Sequence, residues 1–323
     1  MSVIINDYHD TRSLCLYFNI SAKQCQTFNN VFDNLIKFVI LNKDMQKNIF
    51  PKEKIAIMPS TPDGVVVKNV TKKHNKLVVD DKYKYQKNWF VRSFQFIFYH
   101  FIAKPVFFLY GKIGLGIKVH GKKKLKNIKG GAITVSNHVH CVDFMIAAAF
   151  VKRFRRSHIV SQKQNFDVPY VGKLMTAFGV MPLPDTVKAS KNFYSQITTY
   201  LKKNRFVHIF PEGSMWPYYN KLRPLKSGAF HFASKNNVPV IPYVIVFRQT
   251  KGLRRIVKKR PKLGVYICDP IYPDLTKGIR ERNDELRDRT QEAMQKVLDE
   301  HPSYEYYHYI TREEYEAMKK SPQ

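Results

Sequence analysis

Ala132-Ile-Thr-Val-Ser-Asn-His-Val-His-Cys-Val-Asp-Phe-Met-Ile-Ala-Ala-Ala-Phe150 compresses a β-branched run, two histidines, an aspartate and an Ala-rich run into nineteen residues. Ile133 to Val135, bounded upstream by Gly130-Gly131, suits a short buried strand, whereas Phe144 to Phe150 suits a helix. His138 and Asp143 stand at the junction. An imidazole and a carboxylate five residues apart are the ingredients of a general base: the carboxylate fixes one ring nitrogen as a donor and leaves the other free to take a proton. Such a pair also recurs by chance in chains of this length. His140, only three residues from Asp143, reads as a solvated or core histidine, and Cys141 as a packing residue.

Outward from this stretch, strands and helices alternate. Strands are expected near Ile133 and Ile159 and at 179–183, 206–210, 238–247 and 263–268, with helices at 143–150, 170–178, 189–203, 226–236 and 280–299. The last helix carries Leu286, Ala293, Met294, Val297 and Leu298 on one stripe. Alternation of this kind predicts an α/β domain, a largely parallel mixed sheet flanked by helices, over 130–300. No repeat of solenoid or propeller length is present. Residues 1–85 read as an N-terminal appendage with a helix at Phe28 to Leu41 and strands between Ile55 and Val79 broken by Pro59, Pro62 and Gly64; residues 301–323 read as a C-terminal tail.

Between appendage and α/β domain, 86–129 is aromatic and then basic. Trp89 to Tyr110 holds ten aromatic residues interrupted by Arg92, His100, Lys104 and Pro105, so its unbroken apolar run is shorter than a spanning helix needs. Two readings stand: an in-plane or half-inserted membrane helix, or a helix packed on the protein's own core. Lys118 to Lys129, with six lysines in twelve residues, follows directly, and an apolar segment beside a polybasic patch is a two-signal arrangement for anionic leaflets.

The chain has 323 residues, 44% of them hydrophobic, which excludes general disorder. Its 55 Lys+Arg against 25 Asp+Glu leave a formal charge of +30, so a polyanionic partner is expected. Further basic runs lie at Lys152 to Arg156 and Lys251 to Lys262. Cys15, Cys25, Cys141 and Cys268 form no C-x-x-C pair and are too sparse for a disulfide scaffold, so free thiols in a reducing compartment are expected. No leader pattern is seen at the N-terminus, and the Asn19 and Asn69 glycosylation sequons are read as accidental. G-x-S-x-G, H-E-x-x-H and P-loop patterns are missing, and no metal site is expected.

Two further blocks complete the constellation. Phe206-Val-His-Ile-Phe-Pro-Glu-Gly-Ser214 ends a strand in Pro211-Glu212-Gly213, where open α/β sheets keep their crevices, and Val238-Pro-Val-Ile-Pro242 opens a strand with prolines expected to clear space at the same edge. Together, Asn137-His138 with Asp143, Phe210-Pro-Glu-Gly-Ser214 and Val238 to Pro242 resemble, in order and spacing, the glycerolipid acyltransferase family, whose members include the 1-acylglycerol-3-phosphate acyltransferases. The resemblance covers roughly residues 90 to 270 and implies acyl transfer from acyl-CoA or acyl carrier protein, as co-substrate with no cofactor, to the hydroxyl of a lysophospholipid. His138 would be the base, Asp143 its orienting partner, and Glu212, Gly213 and Ser214 part of the acceptor site. It also implies a peripheral or monotopic protein on the cytoplasmic, inner face of the cell membrane.

The chain departs from the family in two places. Asp185 and Met215-Trp216 stand where arginines are often found, so Lys163, Lys188, Arg223 and Lys226 become the candidates for the acceptor phosphate. An acyltransferase for another lipid acceptor is therefore one alternative, and a non-catalytic basic lipid-binding protein on the same fold is another. Nucleic acid is not expected: no reader motif accompanies the charge, and the aromatics cluster apart from the cations.

Overall fold

The computed structural model describes residues 54–62, 64–66, 77–151, 156–168, 171–250 and 260–320. The helix expected at Phe28 to Leu41, Cys15, Cys25, both sequons and most of the basic runs at 152–156 and 251–262 lie outside the described residues.

The expected alternation is present. Strands β2 (Lys118–His120), β3 (Ala132–Ser136), β4 (Ser157–Ser161), β5 (Met181–Pro182), β6 (Phe206–Ile209), β7 (Val240–Arg248) and β8 (Lys262–Ile267) form one sheet in the order β2-β8-β7-β3-β6-β4-β5. All neighbours are parallel except β7 and β8. The sheet is therefore mixed but largely parallel, and β2 extends it from within the stretch that composition assigns to the basic segment.

Both faces are covered, which is why the central strands read as continuous apolar runs. Along β7 the alternation sorts side chains cleanly: Ile241, Tyr243, Ile245 and Phe247 enter one core, Val240, Val244 and Val246 the other. The first core packs beneath helices α1 (Trp89–Gly114), α2 (Asp143–Ala149) and α3 (Val171–Phe178); the second beneath α4 (Val187–Lys202), α5 (Gly228–Asn236) and α6 (Ile279–Glu300). In α6 the buried residues Leu286, Thr290, Met294 and Leu298 recur every fourth position, a single stripe on the sheet.

Helix α1 differs from its expectation. Lys104-Pro105 does not break it: π-turns at Phe98–Ala103 and Tyr110–Gly114 widen the register, Lys104 N–H donating to the Tyr99 carbonyl, so the helix runs through the proline and reaches 26 residues. By length and composition it is long and apolar enough to cross a membrane. It has two faces. Phe98, Tyr99, Ala103 and Phe107 are buried against the domain, whereas Trp89, Phe96, Ile97, Phe101, Leu109 and Ile113 are exposed.

Parts of the N- and C-terminal segments are stitched together. β1 (Ile55–Ile57) pairs in parallel with β9 (His308–Ile310), which precedes α7 (Arg312–Lys320), and Val79 N–H donates to Asp185 Oδ2 at 3.0 Å. β1 is the one strand among the described residues of 54–79, where several were expected.

Candidate active site

β3 ends at Ser136, and the chain's next residue ties the sheet together at that rim. Asn137 Nδ2 donates to the Ile245 carbonyl at 2.9 Å and its Oδ1 accepts the Ile245 N–H at 2.8 Å, so an amide side chain continues the β3–β7 ladder one step further. This frees the backbone at His138 to turn away. The turn is closed by Asp143, the first residue of α2, whose Oδ2 accepts the N–H groups of Val139 at 2.7 Å and His140 at 2.8 Å. A carboxylate there also meets the positive end of the helix dipole.

The same Oδ2 lies 3.1 Å from His138 Nδ1. Asp143 is fully buried, and burial raises its pKa above the ordinary carboxylate value, opposed by His138 and the two backbone N–H groups. With Nδ1 held as the donor, Nε2 is the proton-accepting nitrogen, a tautomer inferred from the bonding. The imidazole stacks on Phe210, ring centroids 4.0 Å apart, and remains partly open to solvent. Phe210 thus holds the plane of the ring that Asp143 holds by its edge.

Of the two readings left open for His140, solvated or core, the core one holds. It is buried, accepts the Val142 N–H at 3.3 Å and lies 3.3 Å from the Tyr218 hydroxyl; burial pushes its pKa down to about 3. Behind the base, buried His208 bridges Thr134 Oγ1 at 3.0 Å and the Tyr243 hydroxyl at 3.4 Å. Cys141 is half-buried and Cys268 buried, both free thiols.

Glu212, Ser214 and Arg223, expected at the acceptor, occupy a different position. Glu212 is 1% exposed and Arg223 3%. Glu212 Oε2 accepts the His138 backbone N–H at 3.0 Å and Arg223 Nη2 at 2.6 Å, while Oε1 accepts the Arg223 N–H at 3.1 Å. Arg223 also donates to the Ser214 carbonyl, to Ser214 Oγ at 3.1 Å and to the Pro62 carbonyl at 2.9 Å, with its guanidinium over the Trp216 ring. Ser214 Oγ and Trp216 Nε1 both donate to the Gly64 carbonyl at 2.8 Å. These side chains form a buried buttress beneath His138 instead of presenting charge to a ligand, because each carboxylate and guanidinium group in it is already paired within the protein.

Gly213 takes φ +84°, and its carbonyl accepts Gln162 Nε2 at 3.2 Å. Lys226 passes over it, a Cβ there standing 3.3 Å from Lys226 Nζ. Lys163 Nζ lies 2.6 Å from Asp185 Oδ1, a contact that lowers the Asp185 pKa, and Lys188 lies 3.6 Å from Asp81. Of the four cations considered for the phosphate, Lys163, Lys188 and Arg223 therefore have carboxylate partners, and Lys226 lies beside the Glu-Gly turn.

The proline block is corrected in place. β7 begins at Val240 opposite Ile133, so Pro239 lies toward the rim away from His138, whereas Pro242 stands opposite Val135, one residue before β3 ends. Sequence reasoning passed over the clamp by Asn137, the stacking by Phe210 and the carbonyls of Pro62 and Gly64. The first two lie inside quoted motifs; the last two carry no local signal.

A carboxylate-held imidazole at the C-terminal rim of a largely parallel sheet is an arrangement able to take a proton from a bound hydroxyl. The family model described as Acyltransferase matches residues 116–246, and this part of the chain is similar to the glycerolipid acyltransferases. A chloroplastic 1-acyl-sn-glycerol-3-phosphate acyltransferase of Arabidopsis thaliana is 30% identical over 154 residues, 46% of this chain and 41% of the relative. The 1-acyl-sn-glycerol-3-phosphate acyltransferase of Saccharomyces cerevisiae is 28% identical over 193 residues, 58% of this chain and 59% of the relative. The chain thus spans about half the length of the curated relatives it matches. The crystal structure of the 1-acyl-sn-glycerophosphate acyltransferase of Thermotoga maritima aligns with a TM-score of 0.45 at 18% identity, covering 64% of this chain and 88% of that one.

Proposed function

We propose that this protein is a membrane-surface O-acyltransferase that moves an acyl chain from acyl-CoA or acyl carrier protein to the hydroxyl of a lysophosphatidate-like lipid in phospholipid synthesis. The observation that carries the reading is the 3.1 Å contact between His138 Nδ1 and the buried Asp143 carboxylate, with the ring itself partly open to solvent. In the reaction His138 Nε2 takes the proton of the acceptor hydroxyl as its oxygen bonds to the thioester carbonyl carbon. The C–S bond then breaks, and the proton passes from His138 to the leaving thiolate, giving ester and free thiol. No enzyme nucleophile takes part. Lys226 beside Gly213 is the cation best placed for the acceptor phosphate. The exposed apolar face of α1 and the net charge of +30 support a peripheral or monotopic seat on an anionic leaflet, facing the cytoplasm.

A second acceptor is favoured by one observation: Lys163 and Arg223 are held by Asp185 and Glu212. A hydroxyl-bearing lipid with a smaller or absent phosphate would need less charge. Incubating purified protein with acyl-CoA or acyl carrier protein and a panel of lysolipids tests both readings. Thiol release with 1-acylglycerol-3-phosphate, abolished in His138→Ala, is expected; normal turnover by that variant would overturn the mechanism.

A further inference from the structure

A cavity of about 350 Å³ opens on the rim of the sheet away from His138, where β4, β5 and β6 begin. Strand β3 alone separates the two rims by ~16 Å at about 3.3 Å per residue. Its lining includes Lys87, Arg92, Arg156, Lys203 and Arg205, and no aspartate or glutamate. Among the described residues none of the five pairs with a carboxylate.

The cations are built in. Arg156 is 9% exposed; its Nη2 donates to the Phe178 carbonyl at 2.9 Å, while its buried Nε has no hydrogen-bond partner. Arg205 Nη1 lies 3.3 Å from Nε2 of His158, whose ring stacks on Tyr200 at 3.6 Å. Burial holds the His158 pKa well below its ordinary value, so the group that orients Arg205 is neutral and brings no counter-charge. Like charges gathered in a concave, partly desolvated site call for an anion.

The same cavity is bordered by Trp89, Phe96 and Ile97 on the first turns of α1, all exposed. A soluble phosphate makes no use of those side chains; an amphiphile uses both halves. We propose that this cavity binds the phosphodiester headgroup of an anionic phospholipid, distinct from the acyl-transfer site, with Arg92, Lys203 and Arg205 on the phosphate and the acyl chains along Phe96 and Ile97. The source of the lipid rests on the membrane seat of α1 given above; the site itself does not.

Binding of dihexanoylphosphatidylglycerol below its micelle concentration, followed by calorimetry on the whole chain, isolates the site from membrane insertion. Arg92→Gln/Lys203→Gln alters two exposed side chains and keeps the fold. It is expected to weaken binding by about twenty-five-fold, two cations each worth roughly a factor of five. Lys235→Gln/Lys296→Gln, the same charge change elsewhere on the surface, is expected to alter it less than about twofold. Equal loss in both pairs, or retained affinity in the first, overturns the site. Inorganic phosphate or adenosine 3′,5′-bisphosphate binding as tightly as the short-chain lipid overturns the headgroup assignment. Because the readout is binding, a His138→Ala enzyme that still turned over would leave this inference standing.

Discussion

Glu212 Oε2 lies 3.0 Å from the backbone nitrogen of His138, so a carboxylate in the loop after β6 holds His138 by its main chain and not by its ring. The His138 carbonyl in turn accepts the Trp216 N–H at 3.0 Å. Both backbone groups of the base are thereby fixed by one loop, whose own position depends on Arg223.

Glu212→Gln leaves an acceptor for His138 but strips the buried Arg223 guanidinium of its charge partner. Breaking one side of a buried ion pair costs about 3–5 kcal/mol. A clear fall in the thermal midpoint is expected, and a Glu212→Leu/Arg223→Leu double variant should recover part of it. An unchanged midpoint in Glu212→Gln would show that the pair does not buttress the turn.

Asp143→Asn should act on turnover far more than on stability or KM. Val139, His140 and Nδ1 all meet Oδ2, so an amide oxygen in its place keeps the three contacts but carries no charge to stabilise the ring as it takes a proton. Loss of about 10³–10⁴ in kcat is expected by the logic of a carboxylate-oriented imidazole. Steady-state kinetics at saturating acceptor measure it, and a loss under tenfold would exclude the orienting role.

Folding stability should decline below neutral pH. Burial lowers the pKa of His140 and of His208 to about 3 from the ordinary 6.5. The unfolded chain protonates both below 6.5 and the folded chain does not until about 3, so the contribution is whole above 6.5 and lost as pH falls. Asp143, raised by burial, works in the opposite direction and trims the effect. Urea titrations at pH 7 and pH 5 should differ by up to roughly 4 kcal/mol; equal stabilities would mean these rings carry protons in the fold.

Phe101→Ser/Leu109→Ser/Ile113→Ser removes apolar surface that the protein itself does not cover. At about 25 cal/mol per Å² of inserted apolar area, a drop in vesicle partitioning on the order of 10²-fold is expected with the thermal midpoint kept. Flotation with unchanged recovery of the triple variant would place the membrane contact elsewhere.

Where the information was local, the sequence was sufficient. β3, α2 and α6 fall within a residue or two of their expected bounds because period and composition act over a single element. Asp143 could be paired with His138 because five residues of chain separate them. Helix α1 was misjudged at Lys104-Pro105 because a π-turn absorbs a proline only when neighbouring turns are packed, here against Phe144, Phe150 and Phe178. Pro239 falls at the rim opposite to the one expected because strand register is a relation between strands, invisible in either one.

By itself the sequence determined the largely parallel α/β domain, the pairing of His138 with Asp143, and the field of positive charge. Only the tertiary structure decided that Glu212 and Arg223 support His138 from beneath, joined by Pro62 and Gly64 from some 150 residues away, and that five cations gather on the far rim. Contacts across such distances follow from how the layers pack, and a motif records only the residues that the chain already holds side by side.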